Sequence, residues 1–222
     1  MTKNFLMAMF VGLALALPTA GMANNGFYIG FDAGQAYFKD ASGGMNSLAQ
    51  ILTANCGTCS YHLDMSNRAL GYQGFVGYRF NEYFALEGGY ADFGKAAGTA
   101  TGPYVPGFPF TPSNSGTVHS EMKANGITFD AILGFPLTER FLVFGKIGAI
   151  AAHGTSSFVN MGTISNSSGA ASGNSTEPSY GFGVAYTLTN NWAIRGVWQQ
   201  FHNIPAVGSV NFLSLGMTYS FN

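Results

Sequence analysis

The hydrophobic and polar positions of this chain alternate along eight segments, which is the period-two pattern of β-strands. In the last segment, odd-numbered positions from Leu213 to Phe221 are apolar, and even-numbered positions from Ser214 to Ser220 are small or polar. An apolar face that ends in aromatics, opposite a face of small polar groups, is typical of a strand in a transmembrane barrel. We predict strands over residues 26–39, 68–80, 83–94, 123–135, 141–153, 179–188, 192–202 and 209–221.

The connections between these strands alternate in length. Asn81-Glu82, Leu137-Thr138-Glu139 and Thr189-Asn190-Asn191 are tight turns. Short turns at one end and long loops at the other are the asymmetry of an outer-membrane barrel, with the long loops and the N-terminus on opposite sides. We therefore predict an all-β, eight-stranded antiparallel up-and-down barrel with periplasmic turns. The outward loops, which we expect to be mobile, are residues 40–67, 95–122 and 154–178, followed by a short one at 203–208.

The N-terminus has the order of an export signal. Lys3 precedes an apolar run from Phe5 to Leu17, and Gly21-Met22-Ala23 forms a small-x-small cleavage site. The apolar run is too short to cross a membrane as a helix. We predict a signal peptide over residues 1–23 and a barrel domain over residues 24–222.

Composition supports a lipid-facing surface. Charged residues make up only 9% of the 222 residues, against roughly 25% in soluble domains, whereas aromatics reach 15%. A barrel in the bacterial outer membrane needs few surface charges, although a secreted soluble β-protein stays open as an alternative. The net charge of −1 and the absence of any Lys/Arg run exclude nucleic acid as an expected partner.

Several motifs at regular spacing resemble the transmembrane domain of the OmpA family. They are Gly77–Tyr83 with Glu87–Tyr90, Leu133–Thr138 with Phe144–Gly148, Leu188–Asn191, and Leu213–Phe221. The resemblance implies an eight-stranded barrel without a wide channel, and loops with roles in adhesion, immune contact or envelope stability. Members of the family continue into a periplasmic peptidoglycan-binding domain. The sequence ends at Asn222, so we do not carry over a wall-anchoring role.

Strand alternation directs six charged side chains into the lumen. With Tyr78 and Tyr90 on the lipid side, the inward set is Asp32, Arg79, Glu87, Asp130, Lys146 and Arg195. The interior of an eight-stranded barrel is just wide enough for side chains to fill it, so these charges must pair or be hydrated. We expect Asp130 to meet Lys146 on the adjacent strand, and Glu87 to meet Arg195 across the lumen.

Two interpretations of this charge set stay open. In the first, the charges form a structural plug, because an unpaired buried charge is costly. In the second, a salt bridge exchanges partners and gates a narrow pore for ions or very small solutes. The gate hypothesis predicts that Glu87→Ala raises conductance, and unchanged conductance would contradict it.

Cys56 and Cys59 lie in the first long loop. Export through an oxidising compartment favours a local disulfide between them. His62, with Asp64, offers an alternative zinc site, but a closed structural site needs four ligands. We therefore predict the disulfide and no cofactor or metal.

Histidines at the outer rim raise the possibility of a lipid A or peptide hydrolase. His119 adjoins Ser120, and His153 is close to Thr155 and Ser156. A hydrolase also needs an acid that orients the base, for which Glu121 and Glu177 are candidates. The chain has no recognisable catalytic motif, so we expect a protein that is not an enzyme.

Aromatic residues cluster at the short-turn end, where barrels carry an interfacial girdle. We assign to this girdle Tyr28, Tyr78, Tyr83, Phe84, Trp192 and Phe221. The expected partners are outer-membrane lipids including lipopolysaccharide, an external host or cell-surface ligand of the long loops, and the barrel-assembly machinery, which reads the C-terminal strand.

Overall fold

The computed structural model describes residues 25–39, 62–104, 111–161 and 166–221, and nearly all of them are in β-strands. The predicted signal peptide and Cys56 and Cys59 lie outside these ranges. Within the described ranges, no helix is long and apolar enough to cross a membrane. The strands are β1 (Gly26–Phe38), β2 (His62–Ser66), β3 (Arg68–Arg79), β4 (Phe84–Tyr104), β5 (Thr111–Pro136), β6 (Phe141–Met161), β7 (Asn166–Thr187), β8 (Trp192–Ile204) and β9 (Gly208–Ser220).

The strands form a closed antiparallel barrel. The order is β2-β4-β3-β1-β9-β8-β7-β6-β5, and pairing of β4 with β5 closes the ring. β2 and β3 are separated only by Asn67, and both pair with β4. They therefore occupy one strand position, and the barrel wall has eight strand positions. The predicted eight-stranded antiparallel barrel is confirmed.

The short turns owe their shape to local side-chain hydrogen bonds. Oδ1 of Asn81 accepts from the backbone N–H groups of Tyr83 and Phe84, both at 2.8 Å. Thr138 and Thr189 accept in the same way through Oγ1, from Phe141 and Trp192 at 3.1 Å each. Asx and ST turns of this kind stabilise the chain reversal without tertiary contacts.

The prediction that residues 95–122 and 154–178 are loops is wrong for most of their length. β4, β5, β6 and β7 continue in register far past the ends of the neighbouring strands, so that Gly102 still pairs with Gly116, and Met161 with Asn166. We call the end that carries these extensions the outer end, and the extensions together with β2 the outer sheet. Gly, Ala, Ser and Thr show no clear alternation of hydrophobicity, so the residue pattern contains no signal of strands there.

The wall separates an apolar exterior from a mixed lumen. Large apolar side chains face outward, including Leu70 at 80% exposure and Leu215 at 77%. Inside, buried apolar residues form one cluster near the short turns, with Tyr28, Phe75 and Phe144. A larger cluster fills the outer half, and buried charges lie between the two. The larger cluster includes Phe38, Phe93, Ile150, Phe201, Ile204, Val207, Val210 and Phe212.

Candidate functional site

The buried charges of the lumen form one connected network. Arg195 on β8 donates from Nη2 and Nε to Asp32 on β1, at 2.6 and 2.9 Å. Its Nη1 donates to Oε1 of Glu87 on β4 at 2.6 Å. The guanidinium also stacks on the ring of Phe75, 3.7 Å from the centroid. Four strands of the wall are therefore tied together through one side chain.

Lys146 on β6 extends the network to the other side of the lumen. Its ammonium lies 3.1 Å from Oε2 of Glu87 and 3.3 Å from Oδ2 of Asp130. Both contacts are ion pairs between side chains that are almost fully buried. The other carboxylate oxygen of Asp130, Oδ1, accepts hydrogen bonds from two neutral donors, Ser179 at 3.1 Å and Gln199 at 3.0 Å.

Five of the six predicted charges thus come together, and Arg79 does not join them. Arg79 ends β3 and is half-buried at the short-turn end, with its guanidinium 5.5 Å from the ring centroid of Tyr28. Among the described residues it has no carboxylate within 4.0 Å. The network therefore holds three carboxylates and two cations, and neutral donors compensate for the missing positive charge.

The assignment of Tyr28 to the aromatic girdle is wrong. Its side chain faces the lumen with 4% exposure, and its hydroxyl donates to Oε1 of Glu87 at 3.0 Å. Alternation along β1 places Tyr28 on the same face as Asp32, four residues later, because both are even-numbered. The sequence therefore contained the signal that would have placed Tyr28 inside.

The other assigned aromatics lie at the short-turn end, where ring contacts join them to aromatic residues that the prediction omitted. Tyr78 contacts Phe27 and Phe80 with centroids 4.9 and 4.8 Å apart. Phe84 also contacts Phe80, at 5.4 Å. On the neighbouring strands β8 and β9, Tyr219 joins Trp192 to Phe221, at 5.0 and 5.1 Å. Tyr83 lies in the turn before β4.

Sequence reasoning also missed the apolar layer above the charges. Phe93 packs against Phe201 and Phe212, with ring centroids 4.7 and 5.8 Å apart. The turn from Pro205 to Val207 folds over this layer, and Val207 is buried. Pro205 passes so close to β6 that a Cβ on Gly154 would collide with it. Continuing the inward alternation of Arg195 along β8 would have pointed to Phe201.

The residues of the hydrolase alternative are not assembled into a catalytic arrangement. Nδ1 of His153 lies 2.6 Å from Oδ1 of Asn174, and Nδ1 of His119 lies 3.2 Å from Oγ1 of Thr99. His153 is on the outward face, whereas Glu177 lies on the inward side beside the β8–β9 turn. Ser120 alternates to the face opposite His119. Glu121 instead lies 4.0 Å from Lys95.

A closed antiparallel barrel with an apolar exterior and paired charges inside defines an outer-membrane β-barrel protein. The chain belongs to the OmpA-like transmembrane domain family, whose model matches residues 22–222. It is therefore located in the bacterial outer membrane, which excludes the alternative of a secreted soluble protein.

Relatives agree with this family. The chain is 28% identical over 224 residues to outer membrane protein A of Serratia marcescens, covering 94% of this chain and 55% of that protein. It is 27% identical to outer membrane protein A of Yersinia pseudotuberculosis, covering 94% of this chain and 54% of that protein. The chain thus spans about half the length of the curated relatives it matches.

Solved structures of similar fold have low sequence identity. Ail, the attachment invasion locus protein of Yersinia pestis, in complex with the heparin analogue sucrose octasulfate, is 15% identical with a TM-score of 0.46, covering 88% of this chain and 99% of that one. The N-terminal β-barrel domain of Pseudomonas aeruginosa OprF is 14% identical with a TM-score of 0.42, covering 89% and 99%.

Proposed function

We propose that this chain is a non-enzymatic envelope protein in which a sealed barrel carries a sheet that contacts molecules outside the cell. The mature form would begin at Asn24. The observation that carries the proposal is the outer sheet, because β4 to β7 continue well past Phe38, where β1 ends. Strands of this length present a surface with a defined shape, which suits recognition better than a mobile loop does.

The outward face of the outer sheet supports a role in polar contacts. Its side chains include short hydroxyls, amides and imidazoles, with Thr99 beside His119 and His153 beside Asn174. Hydroxyl, amide and imidazole groups both donate and accept hydrogen bonds. A partner rich in polar groups, such as a glycan or a polar protein surface, fits this face.

The layers of the lumen favour a sealed barrel over a narrow pore. In the gate hypothesis, exchange of partners around Glu87 opens a path through the charges. A path would also have to pass the apolar layer around Phe93, Phe201 and Phe212, which are all buried. Apolar constrictions block ions by excluding water, so rearranging the salt bridges alone would not open the barrel.

Shortening one hairpin of the outer sheet provides the test, because it leaves the pairing of β4 with β5 from Phe84 to Ala97 in place. Ala97 and Glu121 are directly paired, so residues 98–120 can be replaced by Asn-Gly, a dipeptide that closes two-residue hairpins. Bacteria that display either form would be tested for adhesion to epithelial monolayers and to wells coated with heparan sulfate or fibronectin. We expect the wild-type chain to promote adhesion and the shortened one to behave like an empty vector.

The control for this experiment is Arg140→Ala, which alters the opposite end of the barrel and should leave adhesion unchanged. Both variants must show the change in gel mobility on boiling that marks a folded barrel. Equal adhesion by the shortened and wild-type chains would overturn the contact role of this hairpin. Absence of adhesion by the wild-type chain would overturn the proposed contact role toward epithelial cells, heparan sulfate and fibronectin.

A further inference from the structure

A β-bulge in β4 turns Lys95 to the outside of the barrel. The pairing of β4 with β5 shifts register between Asp92 and Lys95, and Gly94 within the bulge has a φ of 72°. Phe93 and Ala96 are both buried in the lumen. Strict alternation from Phe93 would point Lys95 inward. Bulges commonly re-aim a side chain in this way.

Lys95 has two cationic neighbours at the same height. Lys123 is its direct partner on β5, and it faces outward because Ala124 is buried. Arg68 lies two residues from Ser66, which pairs with Ala97, and four from Tyr72, which pairs with Asp92. These registers place Arg68 within one residue of the height of Lys95. We call Arg68, Lys95 and Lys123 the cationic row, and all three side chains are exposed.

The row lies directly above the lipid-facing surface. Leu70, two residues below Arg68, is 80% exposed, and Ile127, four residues below Lys123, is 66% exposed. At about 3.3 Å per residue these separations are about 7 and 13 Å along the strands. Lysine and arginine stems are long enough to lower their charges toward the membrane boundary. The row is therefore at the height of the lipid headgroups.

The row lacks enough protein counter-charge. Two lysines directly opposite each other across a ladder repel. Glu121 is 4.0 Å from Lys95 in an exposed pair, and Asp92 accepts the Gly94 N–H at 2.8 Å. Within the described part of the chain, Lys123 and Arg68 have no carboxylate within 4.0 Å.

An anion at a fixed height above the acyl chains would relieve this repulsion. We propose that the cationic row binds the phosphate groups of lipopolysaccharide in the outer leaflet. The site is confined to β3, β4 and β5, since the positions that continue the row are Thr155 and Ser172 on β6 and β7 and Tyr37 on β1. The proposal rests on the outer-membrane location and is independent of the proposed contact role.

The test compares two double variants that remove the same charge. Lys95→Gln with Lys123→Gln alters the row. The control, Arg79→Gln with Arg140→Gln, removes two cations at the short-turn end of the barrel, one at the end of β3 and one in the turn between β5 and β6. Each protein is refolded in detergent and titrated with deep-rough lipopolysaccharide, with the same lipid after dephosphorylation, and with dextran sulfate.

We expect the row variant to bind lipopolysaccharide about thirtyfold more weakly, since each cation near an anionic membrane surface contributes about a fivefold factor. The control variant should bind like the wild-type chain. Dephosphorylated lipid should bind the wild-type chain at least as weakly as intact lipid binds the row variant, because that variant keeps Arg68. Arg68→Gln alone should weaken binding about fivefold, which keeps the proposal testable if the double variant does not fold.

Three results would overturn the proposal. Equal affinity of the row and control variants would mean that the row does not bind the lipid. Equal affinity for intact and dephosphorylated lipid would assign binding to acyl contacts. Dextran sulfate that binds as tightly as lipopolysaccharide, with the same loss in the row variant, would identify a site for soluble polyanions.

Discussion

Glu87 is the side chain on which the lumen network converges. It accepts from Arg195 and Tyr28 through Oε1, and Lys146 lies beside Oε2. A carboxylate buried in this way is stable only while its partners remain, because breaking a buried ion pair leaves an uncompensated charge. The network therefore couples β1, β4, β6 and β8 through interactions that fail together.

Arg195→Met tests this dependence. The variant removes the cation from Asp32 and Glu87 while it keeps an apolar stem of similar length over Phe75. We expect the free energy of unfolding, measured by urea titration in lipid vesicles, to fall by about 3–5 kcal/mol.

The matched control is Arg140→Met in the exposed turn between β5 and β6. It should change the free energy of unfolding by no more than about 0.5 kcal/mol. A loss no larger in Arg195→Met than in this control would contradict the coupling of these strands through the network.

Except beyond the bulge of β4, the residues that face the lumen could be predicted from alternation, but their pairing could not. Asp32, Glu87 and Arg195 point inward by parity, yet only the barrel's closure shows that Arg195 reaches two carboxylates at once. Arg79 satisfies the same parity and stays apart, because it ends its strand. Alternation along a strand determines which face a side chain is on, whereas the height of that side chain in the lumen depends on strand tilt and register.

At the scale of elements, the residue pattern located every short turn and the membrane-spanning part of every strand. It did not reveal the outer sheet, because Gly, Ser and Ala on both faces leave no period-two pattern. Nor could it reveal the bulge at Gly94, since one extra residue in a strand changes register without changing composition.

Gly94→Ala tests the bulge. The φ of 72° disfavours a residue with a Cβ, and a Cβ there would also collide with the carbonyl oxygen of Leu70. We expect a loss of at least about 1–2 kcal/mol in the free energy of unfolding, measured by urea titration. Gly88→Ala in the same strand is the control, because a Cβ at Gly88 meets nothing within 4 Å. Equal stability of the two variants would contradict the bulge conformation.

Hydrogen exchange distinguishes strands from loops in the outer sheet. Residues 154–161 pair with β5 on one side and β7 on the other, so most of their amides are hydrogen-bonded. We expect mass spectrometry of the refolded protein to show exchange there far slower than in an unstructured peptide. Exchange at the unstructured rate would restore the mobile-loop interpretation of residues 154–178.

At the scale of the whole molecule, two layers of side chains fill the lumen of the barrel. Ion pairs fill its middle, and the apolar layer under the β8–β9 turn fills its outer half. In our proposal, the outer sheet is the surface that contacts partners outside the cell, and the cationic row is the site for lipopolysaccharide phosphates.

Planar-bilayer conductance of the refolded barrel, from residue 24 onward, tests the sealed lumen most directly, with Glu87→Ala measured beside the wild type. We expect neither protein to show discrete openings, because the apolar layer around Phe93 and Phe201 remains when the ion pairs are broken. Discrete openings of the wild-type barrel, or openings created by Glu87→Ala, would contradict the sealed barrel and favour a gated pore.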